Sequence, residues 1–331
     1  MRYIGAMQAT PDSKKRGLFL LRYLLAVVLL AGIVFAVPIR EIRSALETSR
    51  PMPLIAALAI LLVGRMLVSV RTKTLTDGQD LSLSMARLFE ISCASTFYGL
   101  ALPGSFSGGI VRWYRLSQPD GNRSGALAAV ASERAVDLLV MALFGIFCWV
   151  ADAQPDRPPM VAWGLSAAAG ICLLITLFAF TGLGGLTEMK ILGIAQRMKF
   201  LPEAVVGSIT RIAAAFVLYR AMGRNKLMLL FGVSTLFHVL GTVSQYLMVV
   251  SLGLGVSLIS IGWVRAFTVF LTAVPITPSG LGVREISLVM LLLPLGVSAA
   301  QAIAFSLLQF AGLLLIALIG ALFDIRRYLR P

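Results

Sequence analysis

Few folds can accommodate a chain built from continuous apolar runs of bilayer length. Here those runs fall at 18–38, 53–70, 125–151, 160–180, 227–252, 257–276 and 299–323. A helix that crosses a bilayer needs roughly 20 such residues. The strands of a transmembrane β-barrel would alternate apolar and polar residues, and these runs do not. The fold class that follows is all-α, a polytopic integral membrane protein forming a single membrane domain over 1–331. Two further stretches, 84–103 and 283–297, are apolar but interrupted. They divide the chain into comparable halves, about 18–151 and 160–325.

Charge supplies the orientation. Only 13% of residues are charged, yet Lys and Arg exceed Asp and Glu by 14. A soluble enzyme could not hide 58% hydrophobic residues, and a nucleic-acid binder would carry its charge on a soluble face. Basic residues mark the cytoplasmic side of a membrane protein. They cluster before the first run (Lys14, Lys15, Arg16), which is read as a retained signal anchor, and in the tail (Arg326, Arg327, Arg330). They also fill the 181–226 connection, whereas the 152–159 loop carries Asp152, Asp156 and Arg157 and fits the outside. Both termini are therefore placed in the cytoplasm, and full crossings must be even in number. About eight satisfies this if 84–103 enters and returns while 283–297 completes a crossing. Within the connection, Val205 to Tyr219 reads as an amphipathic helix in the cytoplasmic interface.

The two interruptions share a pattern. The first reads Leu102-Pro103-Gly104-Ser105-Phe106-Ser107-Gly108-Gly109-Ile110-Val111-Arg112, the second Thr277-Pro278-Ser279-Gly280-Leu281-Gly282-Val283-Arg284-Glu285. Proline removes a backbone donor and glycine admits positive φ, so each should end one helix and begin another. Unwound backbone survives inside a bilayer only where protein or water satisfies it. Paired breaks in corresponding halves are the mark of an internally repeated transporter with a central site. Helices starting after Gly108–Gly109 and after Gly280–Gly282 would offer free N–H groups to an anion. Arg112 and Arg284 could clamp it by parallel hydrogen bonds. Ser105 and Ser279 complete these two candidate substrate sites.

Ionisable residues elsewhere in the runs count as candidates because burying them in a bilayer is costly. Arg134 and Asp137 lie three apart on one helix face and could pair, either as structural balance or as substrate contacts. Glu133 precedes them, and Arg265 sits centrally in its run. Arg65 is near enough to the end of its run to snorkel. Glu90 could pair with Arg112 or Arg115, or carry a proton; Glu285 is a second candidate for coupling. His238 is the one histidine, which excludes a His-based metal site, and reads as a hydrogen-bonded packing residue. Cys93, Cys148 and Cys172 read as small core residues. No Walker A motif, nucleophile elbow or zinc pattern occurs, so no cofactor, metal or catalytic residue is expected.

Together, Phe97-Tyr98, Leu102-Pro103-Gly104-Ser105, Gly108-Gly109, Arg112 and Tyr114, then Ala131-Ser132-Glu133-Arg134 with Asp137-Leu138, then Pro275 and Thr277 to Glu285 resemble the transmembrane region of lysylphosphatidylglycerol synthase. That region is the flippase-like membrane domain of the bacterial aminoacyl-phosphatidylglycerol synthase/flippase, and it also occurs alone in bacterial and archaeal proteins. The resemblance runs from about residue 18 to 325. It implies a lipid flippase of the cytoplasmic (inner) membrane, with anionic or phosphate-bearing lipids as partners and a homo-oligomer or a separate lipid-synthesising enzyme as further candidates. The chain ends at Pro331, so no aminoacyltransferase domain is expected after the membrane part. Ile110 stands where members of the family often carry an acid, which removes any ion-coupling role at that position. Competing readings are a membrane enzyme or accessory subunit of lipid or polyprenyl-glycan synthesis, the enzyme using Glu90, Glu133, Asp137 and Glu285 as acids or bases, and a proton-coupled transporter of a small anion. Candidate lipids are anionic or aminoacylated phospholipids, polyprenyl phosphates and hopanoid-type lipids.

Overall fold

A computed structural model describes residues 39–101, 107–118, 121–154, 157–180, 215, 218–274, 277 and 280–329. The 18–38 run, Ser105, Ser279 and most of the 181–226 connection lie outside the described residues. Those described are helical, without a strand. In chain order they form α1 (Ile39–Glu47), α2 (Pro51–Thr76), α3 (Met85–Ala101), α4 (Ser107–Leu116) and α5 (Arg123–Ala151). Then come α6 (Pro159–Phe180), α7 (Arg224–Ser251), α8 (Leu258–Ala273), α9 (Val283–Leu292) and α10 (Ala299–Leu329). Five of them, α2, α5, α6, α7 and α10, are long and apolar enough to cross a membrane.

Local residues set three of the helix starts, a side chain by partnering an orphan N–H group and proline by lacking one. Proline occupies the first turn of α2. Asn122 Oδ1 accepts from Gly125 N at 2.8 Å to start α5, and Ser257 Oγ accepts from Ser260 N at 3.0 Å to start α8. At each interruption the structure places two short helices, one before the break and one after it. α3 has 17 residues and α4 has 10, lengths of ~25 and ~15 Å at the helical rise. Leu116, which closes α4, packs with Leu81, Leu83, Leu88 and Ile91 around the start of α3. The chain thus doubles back. The second interruption behaves alike: α9, read as part of a crossing over 283–297, has 10 residues, ~15 Å or half a bilayer core. Its Leu288, Leu291 and Leu292 share a core with Ile261, Trp263 and Val264 of α8. Gly280 and Gly282 make the reversal at φ +71° and +81°, a backbone region open to glycine without strain.

The series α2 to α5 and α7 to α10 run in parallel. Their lengths are 26, 17, 10 and 29 residues in the first and 28, 16, 10 and 31 in the second. α2 packs against α7, with Ser244 Oγ donating to the Ala57 carbonyl at 2.9 Å. Two further contacts between the series are reciprocal: α3 packs on α10, and α8 on α5. Both crossings are close because a glycine sits in each. A Cβ at Gly320 of α10 would overlap the Cys93 carbonyl of α3, and one at Gly145 of α5 would overlap Ala266 of α8. Such small residues let helix backbones approach where lipid gives no hydrophobic drive for packing.

The connection expected to lie in the cytoplasmic interface is anchored in the bundle at its described end. Tyr219, 1% exposed, packs with Leu75, Ala128 and Val136. Its hydroxyl donates to the Leu75 carbonyl at 3.1 Å, and Gln79 Nε2 donates to the Ala215 carbonyl at 2.7 Å. Burial pushes the Tyr219 phenol above its ordinary range. That end is a packed joint.

Candidate functional site

The two breaks meet at a cavity of about 600 Å³. Gly108, Gly109 and Arg112 reach it from the first break, and Thr272, Ala273, Thr277 and Gly280 from the second. Arg65 and Arg71 of α2, Ser95 of α3, and Glu133, Arg134 and Asp137 of α5 complete the polar part of its wall, with Phe237 of α7 beside them. A polar chamber bounded by apolar helices is where unwound backbone and charged side chains can be satisfied in a membrane.

At its centre lies an ion network that the sequence shows only in part. Glu133, 2% exposed, accepts from Arg71 at 3.0 and 3.1 Å on Oε1 and from Arg112 at 2.6 Å on Oε2. Thr72 Oγ1 lies 3.0 Å from the same Oε2 and accepts from Arg112 at 2.5 Å. The other arm of Arg71 donates to Asp137 Oδ1 at 2.6 Å. Arg134, its side chain 55% exposed, reaches Asp137 Oδ2 at 3.5 Å, the pairing suggested by their spacing. Arg71 stacks over the Phe237 ring at 5.5 Å. One network therefore joins α2, α4 and α5.

His238 extends it to α8. Arg265 Nη1 approaches His238 Nδ1 at 3.3 Å and the Met141 sulfur at 3.2 Å. Arginine can only donate, so Nδ1 is the acceptor and Nε2 carries the proton. Nε2 then donates toward the Asp137 carboxylate at 3.2 Å and its backbone carbonyl at 3.0 Å. His238 is buried and hydrogen-bonded. Arg265 lies behind the cavity wall, not on it, at 9% exposure.

Other candidates fall elsewhere. Arg284 donates to Glu285 Oε1 at 2.6 and 3.0 Å and to Ser306 Oγ at 2.9 Å, and it packs over the Phe310 ring. Glu285 Oε2 accepts the Gly282 N–H at 2.7 Å. The α9 start is thus capped by its own glutamate and does not present that N–H to the cavity. Arg284, Glu285 and Gly282 are absent from the cavity wall. Glu90 pairs with Arg87 at 2.8 Å, three residues away on α3, and not with Arg112 or Arg115 as the sequence suggests. Arg115 instead forks onto both oxygens of Asp324 at 2.7 Å, tying α4 to α10. Gln245 reaches Gln309 at 3.4 Å.

Two arginines that matter escape a reading by apolar runs. Arg71 lies one residue beyond the 53–70 window, but α2 continues to Thr76. Arg65 faces the cavity, whereas its place in the run suggests snorkelling to the interface. For Arg65 the available signal is spacing: Arg65, Ser69, Thr72 and Thr76 recur at three or four residues on one helix face, a polar stripe that Arg71 does not share. Among the described residues no group of three or more His, Cys, Asp or Glu could hold a metal ion.

A UPF0104 membrane protein, PH1989 of Pyrococcus horikoshii, is 22% identical over 270 residues, covering 76% of this chain and 80% of that one. The family model described as the lysylphosphatidylglycerol synthase TM region matches residues 20–320, so both breaks, the ion network and the cavity fall within it. The chain is a membrane protein and belongs to the lysylphosphatidylglycerol synthase TM region family.

Proposed function

We propose that the protein is a lipid translocase of the cytoplasmic membrane, with cytoplasmic termini, that passes the headgroup of a phosphate-bearing lipid through the cavity between the two breaks. The observation that carries this reading is the cavity itself, a polar chamber lined from both helix breaks among helices of membrane-crossing length. The acyl chains stay in the bilayer while the headgroup meets Arg65, Arg112, Arg134 and the α4 start at Gly108–Gly109. The matched helix lengths and reciprocal packing support two inverted or parallel repeats, and rocking one against the other would expose the cavity alternately. The α3–α4 and α8–α9 hairpins then act as re-entrant elements that return on the side they enter. No chemical change in the lipid is required, so the protein is assigned no catalytic residue and no cofactor.

Gly109 gives the cleanest test. It lines the cavity, and a Cβ there meets nothing within 4 Å. Gly109→Leu should fold normally and fill the path. In proteoliposomes carrying fluorescent phospholipid, the wild type should move the probe between leaflets, and Gly109→Leu should lower the rate at least ten-fold with the melting temperature kept. Recovered lipid should be chemically unchanged. Full activity in a folded Gly109→Leu protein would remove the cavity from the transport path.

A further inference from the structure

Charge accounting around the cavity narrows the headgroup. Every oxygen of its two carboxylates is already engaged. Glu133 Oε1 takes Arg71 and Oε2 takes Arg112; Asp137 Oδ1 takes Arg71 and Oδ2 takes Arg134. The wall nevertheless holds four guanidinium groups, those of Arg65, Arg71, Arg112 and Arg134. Counting the wall groups alone, with Arg265 and neutral His238 set behind them, four guanidinium groups face two carboxylates, a surplus of two positive charges at the wall. Uncompensated charge in a low-dielectric interior is costly, and a ligand can remove that cost.

Two donors are left over. The Arg65 side chain makes no hydrogen bond or ion pair among the described residues, although it lines the cavity. Thr277, 1% exposed, leaves its Oγ1 without a hydrogen-bond partner. Arg65 comes from α2 and Thr277 from the second break, so the unspent donors flank the chamber from both series. A planar guanidinium matches two oxygens of one phosphate, and a threonine hydroxyl can donate to a third.

We infer that the cavity selects a phosphate monoester headgroup, held by Arg65 and Thr277, over phosphodiester and cationic headgroups. A monoester carries about −1.5 to −2 at pH 7, which matches the surplus; a diester supplies a single negative charge. An aminoacylated headgroup adds ammonium groups to a chamber already positive. The assignment to a lipid rests on the translocase reading, while the assignment to a monoester rests on the wall alone.

The test uses the full chain in phosphatidylcholine nanodiscs, with binding measured for short-chain phosphatidic acid, phosphatidylglycerol, lysylphosphatidylglycerol and inorganic phosphate. Phosphatidic acid should bind about ten-fold more tightly than phosphatidylglycerol, and lysylphosphatidylglycerol more weakly than either. Arg65→Gln should erase the preference for phosphatidic acid, a loss of about ten-fold or more, as for a hydrogen bond to a charged group. Arg65→Lys should keep part of it, and Thr277→Val should lose a few-fold. Equal binding of mono- and diester lipids, or an unchanged preference in a folded Arg65→Gln protein, would overturn the inference. Inorganic phosphate binding as tightly as phosphatidic acid would assign the site to a free anion and overturn the lipid part. Transport of both lipids at equal, Arg65-independent rates would leave the translocase standing and the inference overturned. Tight Arg65-dependent binding of phosphatidic acid without movement of any lipid would uphold the monoester site and remove the translocase.

Discussion

Glu133→Gln is expected to cost about 3–5 kcal/mol of stability, the usual result of breaking a buried ion pair from one side. The carboxylate is 2% exposed and serves Arg71, Arg112 and Thr72 at once. Glutamine keeps the shape but loses the charge and turns an N–H₂ toward guanidinium donors. Arg71 and Arg112 then repel each other across a site that water reaches poorly. Denaturation by SDS in mixed micelles should show the loss. Adding Arg112→Gln should recover part of it, because the second change removes one of the stranded cations. Glu90→Gln is the control: its partner Arg87 is local and the pair is partly exposed, so its effect should stay within about 1 kcal/mol. Equal effects of the two glutamate changes would mean that the Glu133 network does not hold the bundle.

Gly320→Leu should destabilise by at least about 3 kcal/mol, beyond ordinary overpacking. The obstruction is backbone: the new Cβ overlaps the Cys93 carbonyl, with Ala94 N at 2.8 Å. No rotamer relieves that, so α3 and α10 must separate, taking with them the Arg115–Asp324 fork. Gly145→Leu meets side chains instead, Ala266 and Leu165, and should cost less, about 1–3 kcal/mol. Gly170→Leu, in α6 with nothing within 4 Å, should be neutral. A yield and melting series of these variants checks the order. If Gly320→Leu matched Gly170→Leu, the close crossing of α3 and α10 would be refuted.

What the residues revealed in advance follows from range. Apolar runs are local, and 53–70, 125–151, 160–180, 227–252 and 299–323 reappear as α2, α5, α6, α7 and α10. The break motifs are local too, since proline and glycine act on their own backbone; α3 ends at Ala101 and α9 starts at Val283 accordingly. Partnership is not local. Arg71 meets Glu133 across 62 residues and Arg115 meets Asp324 across 209, and nothing in either neighbourhood announces it. Arg112 and Arg284 look alike in sequence because each follows a glycine pair. They differ because Glu285 stands beside Arg284 and claims it, whereas Ile110 and its neighbours offer Arg112 nothing, so Arg112 turns to α5.

The reciprocal packing of α3 on α10 also has a consequence during synthesis. The first hairpin, with α4 only 10 residues long, emerges well before the helix it packs on. Asp324, the partner of Arg115, is translated 209 residues later. At about 5–20 residues per second, that delay is on the order of ten to forty seconds. α8, in contrast, finds α5 already made. The order of translation thus leaves the first hairpin, and Arg115 on it, waiting for α10, and final assembly of the bundle cannot precede the release of that helix.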